Sequence, residues 1–248
     1  MKNNFFQRYT EIAEKNPDKV LLRIDSDELT YGDFLSRTAV MSSGMRNLGI
    51  GVDDKVGIIM PNSIEWYLVF WSAVRIGAQP VPIDPQSGVL ELSRLIPATT
   101  SKICFAAEKY RNNNILGALT EMDREKLTVS KVVCFADDEK LPDDLFISEK
   151  KFMADFTDGY SEIYVPSDDH IMSLACTSGS TGTPKMLSVP YYGFYQAADD
   201  MGAYLEFGEN EVMMLGMTLY HQGGFGMGLQ TTVKCGTVMY QPHFNPLT

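Results

Sequence analysis

Short runs of apolar, often β-branched residues alternate with longer stretches of helical periodicity along most of the chain. These runs predict strands at 20–24, 55–60, 102–106, 131–135, 170–176, 212–216 and 237–240. Strands that are joined through helices pair in parallel, because a parallel pair needs a long crossover connection. The alternation therefore predicts an α/β fold whose mainly parallel sheets are covered by helices.

Helices are predicted between these runs, at 33–48, 190–206 and 223–234. Two local patterns mark helix starts. Thr30 and Asp33 have the spacing of a capping box, in which a side-chain oxygen accepts from the backbone of the first turn. Asn62 and Glu65 repeat that spacing directly after a proline, so we expect Asn62 to cap the next helix.

Residues 136–169 interrupt the alternation, because they are rich in Asp, Glu, Lys and Ser and lack a regular apolar period. Such a composition predicts a surface excursion or a junction between subdomains. The 248 residues can form one large domain or two small ones. If the chain is subdivided, we expect the division near 136–169.

The composition argues against several partners and sites. The 21 Lys and Arg against 32 Asp and Glu give a formal net charge of −11, which disfavours nucleic acid. No secretory signal is seen, and no apolar run approaches the roughly 20 residues that span a bilayer. A cytoplasmic location is expected. Neither a zinc site nor a disulfide framework is indicated by the four scattered cysteines, Cys104, Cys134, Cys176 and Cys235.

One loop after the predicted strand at 170–176 combines five hydroxyls, two glycines and a lysine. Its residues are Thr177, Ser178, Gly179, Ser180, Thr181, Gly182, Thr183, Pro184 and Lys185. Glycines let several backbone N–H groups converge, hydroxyls add small donors, and a lysine supplies a point charge. Without regard to residue order, such a cluster is more often a solvated connection. If this loop does bind a ligand, its N–H groups, hydroxyls and lysine suit a polyphosphate.

Two other nucleotide motifs do not fit. A Walker loop would need glycine and a hydroxyl where Pro184 and Met186 stand, so a P-loop NTPase ranks last. A dinucleotide fingerprint beginning at Gly224 would need a third glycine where Leu229 stands. Close packing of a helix explains the glycines at 223–228.

The order T-S-G-S-T-G-T-P-K resembles the [ST]-S-G-[ST]-T-G-x-P-K signature of the adenylate-forming superfamily. That superfamily includes acyl- and aryl-CoA synthetases, peptide-synthetase adenylation domains and luciferases. Residues 29–34 and 74–85 are similar to its first and second core motifs, with Gly77 at the end of a helix. Residues 219–226 resemble the motif in which an aromatic residue or a histidine precedes a glycine-rich helix start. The chain departs from the pattern at Met186, where Gly or Ala is usual.

The resemblance implies ATP-dependent activation of a small-molecule carboxylate through an acyl adenylate, followed by transfer to a thiol. It implies that the ATP phosphates are bound by Thr177, Ser178, Gly179, Ser180, Thr181, Gly182, Thr183 and Lys185. Lys185 would be catalytic and neutralise charge as pyrophosphate leaves, and Thr177 would be a Mg²⁺ ligand. His221 would lie beside the acyl pocket and the route to the thiol, with CoA as the expected co-substrate.

The resemblance covers the early part of such an enzyme. We expect 1–248 to be the N-terminal portion of an AMP-binding domain, without the rest of the large domain or the C-terminal lid. The chain alone should then have little or no adenylation activity. An acyl- or aryl-CoA synthetase is the leading interpretation, favoured by Tyr220 and His221. The alternatives are a peptide-synthetase adenylation domain using a carrier-protein thiol, and a non-catalytic nucleotide- or acyl-binding module.

Overall fold

The structure is a computed structural model that describes residues 3–154, 156, 159–177 and 185–242. In chain order its helices and strands are α1 (Phe5–Lys15), β1 (Val20–Ile24), β2 (Asp27–Thr30), α2 (Tyr31–Asn47), β3 (Lys55–Ile59), α3 (Ile64–Arg75), β4 (Gln79–Pro82), α4 (Val89–Thr99), β5 (Ile103–Ala107), α5 (Ile115–Glu121), β6 (Lys131–Phe135), β7 (Phe146–Ser148), α6 (Glu149–Ala154), β8 (Ile171–Thr177), β9 (Lys185–Pro190), α7 (Tyr191–Tyr204), β10 (Val212–Leu215), α8 (Gln222–Thr232) and β11 (Thr237–Tyr240).

A five-stranded parallel sheet has the order β4-β3-β5-β6-β7. Its inner strands β3, β5 and β6 are mostly buried apolar runs, as expected when helices cover both faces. The edge strand β4 carries Pro80 and Pro82, which cannot donate backbone hydrogen bonds and are tolerated at an edge. The predicted mainly parallel α/β fold is confirmed.

A second sheet of four strands has the order β10-β11-β1-β2. Strand β11 pairs in parallel with both neighbours, and Val238 lies opposite Leu22 of β1. Strand β2 is antiparallel to β1 and lies outside the predicted apolar runs, because its exposed acidic residues do not form one. The sheet therefore joins strands from the two ends of the described chain.

Aromatic side chains from three helices connect the two sheets. The ring of Trp71 on α3 lies 5.0 Å from Phe5 and 5.7 Å from Tyr9 of α1, measured between centroids. On its other side, Phe225 of α8 lies 6.0 Å away. All four side chains are at most 1% exposed, so α3 is clamped between the N-terminal helix and α8.

Helix boundaries agree with the predicted signals at two places and differ at a third. The Thr30 side chain accepts from the Asp33 amide at 3.0 Å, which confirms the cap of α2. Gly77 has a φ of +78°, the left-handed conformation that favours glycine past a helix end. The predicted cap at Asn62 is wrong, since Ser63 caps α3 by accepting from Trp66 at 3.0 Å.

The segment 136–169 is more regular than its composition predicts. It contributes β7 to the five-stranded sheet, and α6 follows directly. Further along, the Tyr164 amide donates to the Arg75 carbonyl at 2.8 Å, so the chain is held at the end of α3. Short elements such as the three-residue β7 give too few residues for a periodic signal.

No helix among the described residues is long and apolar enough to cross a membrane.

Candidate functional site

Strands β8 and β9 form the base of the predicted phosphate loop. They make an antiparallel two-stranded ribbon, separate from both sheets, in which Thr177 lies opposite Lys185. This register brings the two ends of the loop within about 5 Å of each other. Residues 178–184 and the side chain of Thr177 lie outside the described part of the chain.

The β8–β9 ribbon lies alongside the edge strand β4. His170, just before β8, approaches Asp53 at 3.6 Å between Nδ1 and Oδ1, and Asp53 accepts from Gln79 at the start of β4. At the other end of the ribbon, Cys176 and Met186 pack against a core cluster built on the five-stranded sheet. Strand β8 therefore runs in the direction of β4, and the ends of the ribbon at Thr177 and Lys185 lie towards the carboxyl edge of that sheet.

The carboxyl ends of both sheets come together in one region, which we call the crevice: Asn62 bonds to the segments after β10 and β11, and Tyr220 lies near Asp84 and Tyr110. We define it by Asn62 after β3, Asp84 after β4, Tyr110 after β5, residues 216–221 after β10, and Gln241 after β11. In the five-stranded sheet, β4 lies on one side of β3 and β5 on the other, so the strand order reverses there. Open α/β sheets bind ligands outside the carboxyl ends of strands at such a reversal.

Asn62 joins the two sheets across the crevice. Its amide nitrogen donates to the carbonyls of Met217 at 3.0 Å and Gln241 at 2.8 Å. Its amide oxygen accepts from the Leu219 backbone at 2.7 Å. Only 5% of the residue is exposed. These three bonds attach the segments after β10 and β11 to the end of β3.

Tyr220 and His221 follow this attached segment. His221 is the exposed residue at the start of α8, and its ring lies 4.8 Å from that of Tyr220. Burial raises the pKa of Tyr220, and the nearby Asp84 carboxylate raises it further, so the hydroxyl is protonated at neutral pH. The crevice thus presents an imidazole, a phenol and a carboxylate together.

Glycine and aromatic packing fix the start of α8. A side chain at Gly224 would clash with the Thr218 carbonyl, so only glycine lets the helix approach the preceding loop. The Tyr240 hydroxyl donates to the Gly224 carbonyl at 2.7 Å. One position later, Phe225 packs against Phe70 with ring centroids 4.4 Å apart. These buried contacts hold His221 in place from the helix side.

The predicted site residues have different outcomes. Lys185 is exposed at the start of β9, and His221 is exposed at the crevice. The roles predicted for Ser178, Gly179, Ser180, Thr181, Gly182 and Thr183 fall on residues outside the described ranges. So does the side chain of Thr177, and its role as a Mg²⁺ ligand stays a prediction. Across 3–154, 156, 159–177 and 185–242, no three His, Cys, Asp or Glu residues converge to hold a metal.

Sequence reasoning did not associate Asn62, Asp84 and Tyr110 with the site. Asp84 and Tyr110 each follow a strand of the five-stranded sheet, and that position is a usable signal for a parallel α/β fold. Asn62 gave only the weaker signal of a helix start. Its partners are 155 to 179 residues away along the chain, beyond the reach of any local pattern.

Comparison with known proteins identifies the family and supports the fold. The AMP-binding enzyme family matches residues 9–248. The acyl-CoA ligase sidI of Beauveria bassiana is 26% identical over 86% of this chain and 37% of its own length. Tyrocidine synthase 3 of Brevibacillus parabrevis is 26% identical over 76% of this chain and 2% of its own.

A solved structure of similar fold is the long-chain-fatty-acid-CoA ligase FadD1 of Archaeoglobus fulgidus. It superposes with a TM-score of 0.83 at 18% identity, covering 96% of this chain and 47% of that one. The chain thus spans less than half the length of sidI and of FadD1. Since the family match extends over nearly all of the sequence, the chain belongs to the AMP-binding enzyme family.

Proposed function

We propose that the complete protein uses ATP to activate a carboxylic acid as an acyl adenylate, and then transfers the acyl group to the thiol of CoA. The observation that carries this proposal is a shared core beneath the loop base and the crevice. Cys176 and Met186, beside the loop, pack against the core cluster that contains Tyr110, and Tyr110 is also a neighbour of Tyr220, next to His221. Family membership supports the adenylation chemistry.

In this proposal the loop acts on the ATP phosphates. A carboxylate is repelled by a polyanion, so positioning and neutralisation of charge contribute most to such a reaction. Backbone N–H groups and hydroxyls of 177–183 bind the phosphates, and Lys185 neutralises charge while pyrophosphate leaves. Mg²⁺ would neutralise further charge on the phosphates when bound, with Thr177 as its proposed ligand.

His221 lies on the proposed route between the adenylate and the thiol. Its place at the start of α8, next to Tyr220, suits a residue that orients an incoming group. The Tyr220–His221 pair favours a CoA synthetase over a peptide-synthetase domain. The acid that is activated belongs to the class of small-molecule carboxylates.

The role of Lys185 is tested by carboxylate-dependent ATP–pyrophosphate exchange in the complete protein. We expect Lys185→Ala to lower the exchange rate by about 100-fold or more, because one fixed charge at the transition state is lost. Lys15→Ala is the matched control, since Lys15 is exposed at the end of α1, beside residues that precede β1 and β10. Equal rates in the two variants would refute the assignment.

A peptide-synthetase adenylation domain is the second candidate, and the similarity to tyrocidine synthase 3 favours keeping it. The two candidates differ in the acceptor thiol. An assay that offers free CoA and a phosphopantetheinyl carrier protein in parallel decides between them. Transfer of the acyl group to the true acceptor should release AMP from the adenylate at a high rate, and the other thiol should not.

A non-catalytic nucleotide- or acyl-binding module is the third candidate. It predicts tight binding of ATP or of CoA without any pyrophosphate exchange. Calorimetric titration of the complete protein with each ligand, alongside the exchange assay, separates this candidate from an enzyme.

We also propose that residues 1–248 alone have little or no adenylation activity, because they correspond to less than half of sidI. The same exchange assay applied to this chain tests the proposal. Exchange at a rate comparable to that of the complete protein would overturn it.

A further inference from the structure

We propose that Asn62 is a positioning residue, which sets the place of Tyr220 and His221 by fixing the backbone that precedes them. The inference rests on the proposed function, since it concerns the same crevice. Asn62 itself is buried and contacts backbone atoms, so it acts through other residues and needs no contact with a substrate.

The hydrogen-bonding pattern requires an asparagine side chain. Both N–H donors of the amide are used, on the carbonyls of Met217 and Gln241, and the amide oxygen accepts from Leu219. An aspartate has the same shape, but its carboxylate would face two carbonyl oxygens and lose both bonds. Serine and alanine are too short to reach three separate backbone groups.

The bonds of Asn62 fix the backbone that leads directly into Tyr220 and His221. Leu219 directly precedes Tyr220 and His221, and its amide is one of the three groups that Asn62 holds. On the other side of His221, the buried contacts of Gly224 and Phe225 fix α8. The histidine therefore lies between two anchors, and Asn62 supplies the one that crosses from the five-stranded sheet.

The loop that binds phosphates is supported by different contacts. The β8–β9 ribbon lies against β4, and none of the hydrogen bonds of the Asn62 side chain reaches it. A change at Asn62 should therefore affect the acyl and thiol side of the reaction without affecting the ATP side. A side chain that only supports folding would lower the amount of active enzyme and leave both sides unchanged.

The kinetic test compares the complete protein with its Asn62→Asp variant, with rates corrected for the folded fraction. We expect KM for the carboxylic acid, or the rate of transfer to CoA, to worsen by about tenfold or more, because small misplacements of reacting groups are costly. KM for ATP should stay unchanged. If all of these constants match the unsubstituted protein, the inference is wrong.

Two further variants keep the test decisive. Asn62→Ser, smaller and uncharged, replaces Asn62→Asp in the same assay if the aspartate variant does not accumulate as folded protein. Asn4→Ala is the matched control, because Asn4 is also a buried asparagine that accepts a backbone hydrogen bond, at the start of α1. It should lower stability without shifting any KM value.

Hydrogen exchange supplies a readout that does not depend on activity. In Asn62→Ala the Leu219 amide loses its acceptor, so exchange across 216–222 should become faster while exchange across 185–190 stays the same. Equal exchange across 216–222 would overturn the inference. If the unsubstituted protein shows no carboxylate-dependent exchange of pyrophosphate, the proposed function fails, and hydrogen exchange still decides whether Asn62 holds the segment.

Discussion

The two halves of the candidate site are built differently. The crevice half is held by buried contacts that join two sheets, including the three bonds of Asn62 and the packing of Phe225. The phosphate half stands on a two-stranded ribbon whose strand β9 exposes most of its residues. A two-stranded ribbon is marginally stable on its own, so it depends on the packing of β8 against β4 and on Met172 and Val189, which reach the main core.

Under the proposed function, this difference would assign separate tasks to the two halves. Groups that orient an acyl chain and a thiol need a fixed geometry, which a packed core provides. A loop that must admit and release a polyphosphate gains from a support with fewer buried contacts. Substitutions that loosen one half and leave the other unchanged test this comparison.

The largest effect is expected from Phe225→Ala. The ring is 1% exposed and packs against Phe70, Trp66 and Trp71, so its loss should lower the free energy of unfolding by about 3–5 kcal/mol. Urea denaturation measures the change. Met227→Ala, at a 39% exposed position of the same helix, is the control and should change stability by less than about 1 kcal/mol. Similar losses in both variants would contradict the role of Phe225.

A smaller and more local effect is expected from Met172→Ala. Met172 is fully buried in β8, so its truncation should lower the free energy of unfolding by about 2–4 kcal/mol. Hydrogen exchange should become faster across 185–190 and stay unchanged across 222–230. Leu187→Ala is the control, because Leu187 is 55% exposed on β9. Faster exchange in both regions would argue that the two halves are not independent.

The smallest effect concerns pH and His170. Burial lowers the pKa of His170, and this outweighs the raising influence of Asp53 and Asp169; Tyr164 and Tyr191 complete its surroundings. The folded state therefore prefers the neutral ring. The stability that the neutral His170 ring contributes to the folded state is fully present above about pH 6.5, its ordinary pKa. It is lost as the pH falls through the lower pKa of the folded state.

We therefore expect the free energy of unfolding to fall as the pH drops below about 6.5, with a slope of at most about 1.4 kcal/mol per pH unit from this residue. Urea denaturation at several pH values measures it. His170→Asn should remove the slope in this window, because no titrating ring remains. Carboxylates with lowered pKa values, such as Asp54, act at lower pH. A variant with the original slope would exclude His170 as the cause.

Local sequence patterns were sufficient for much of the fold. The strands β3, β5 and β6 are continuous apolar runs, and the caps at Thr30 and Gly77 depend on neighbouring residues alone. These features are decided within a few residues of the chain, where propensity and spacing carry the information.

Pairing between segments that are distant along the chain could not be predicted from local sequence patterns. The ribbon of β8 and β9 lies outside both sheets, although the alternation with helices predicted parallel partners. Asn62 has the spacing of a helix cap, but its partners come from β10 and β11. The choice between a local and a distant partner depends on the packed structure, which a single sequence pattern does not contain.

The pairing of β1 with β11 has a consequence for synthesis on the ribosome. All strands of the five-stranded sheet lie between residues 55 and 148. In the second sheet, β1 cannot pair with β11 until Val238, the partner of Leu22, has been synthesised. Because chains emerge N-terminus first, the five-stranded sheet can form early, and β1 must stay unpaired with β11 meanwhile. The crevice between the sheets can form only after Gln241 has left the exit tunnel and can accept from Asn62.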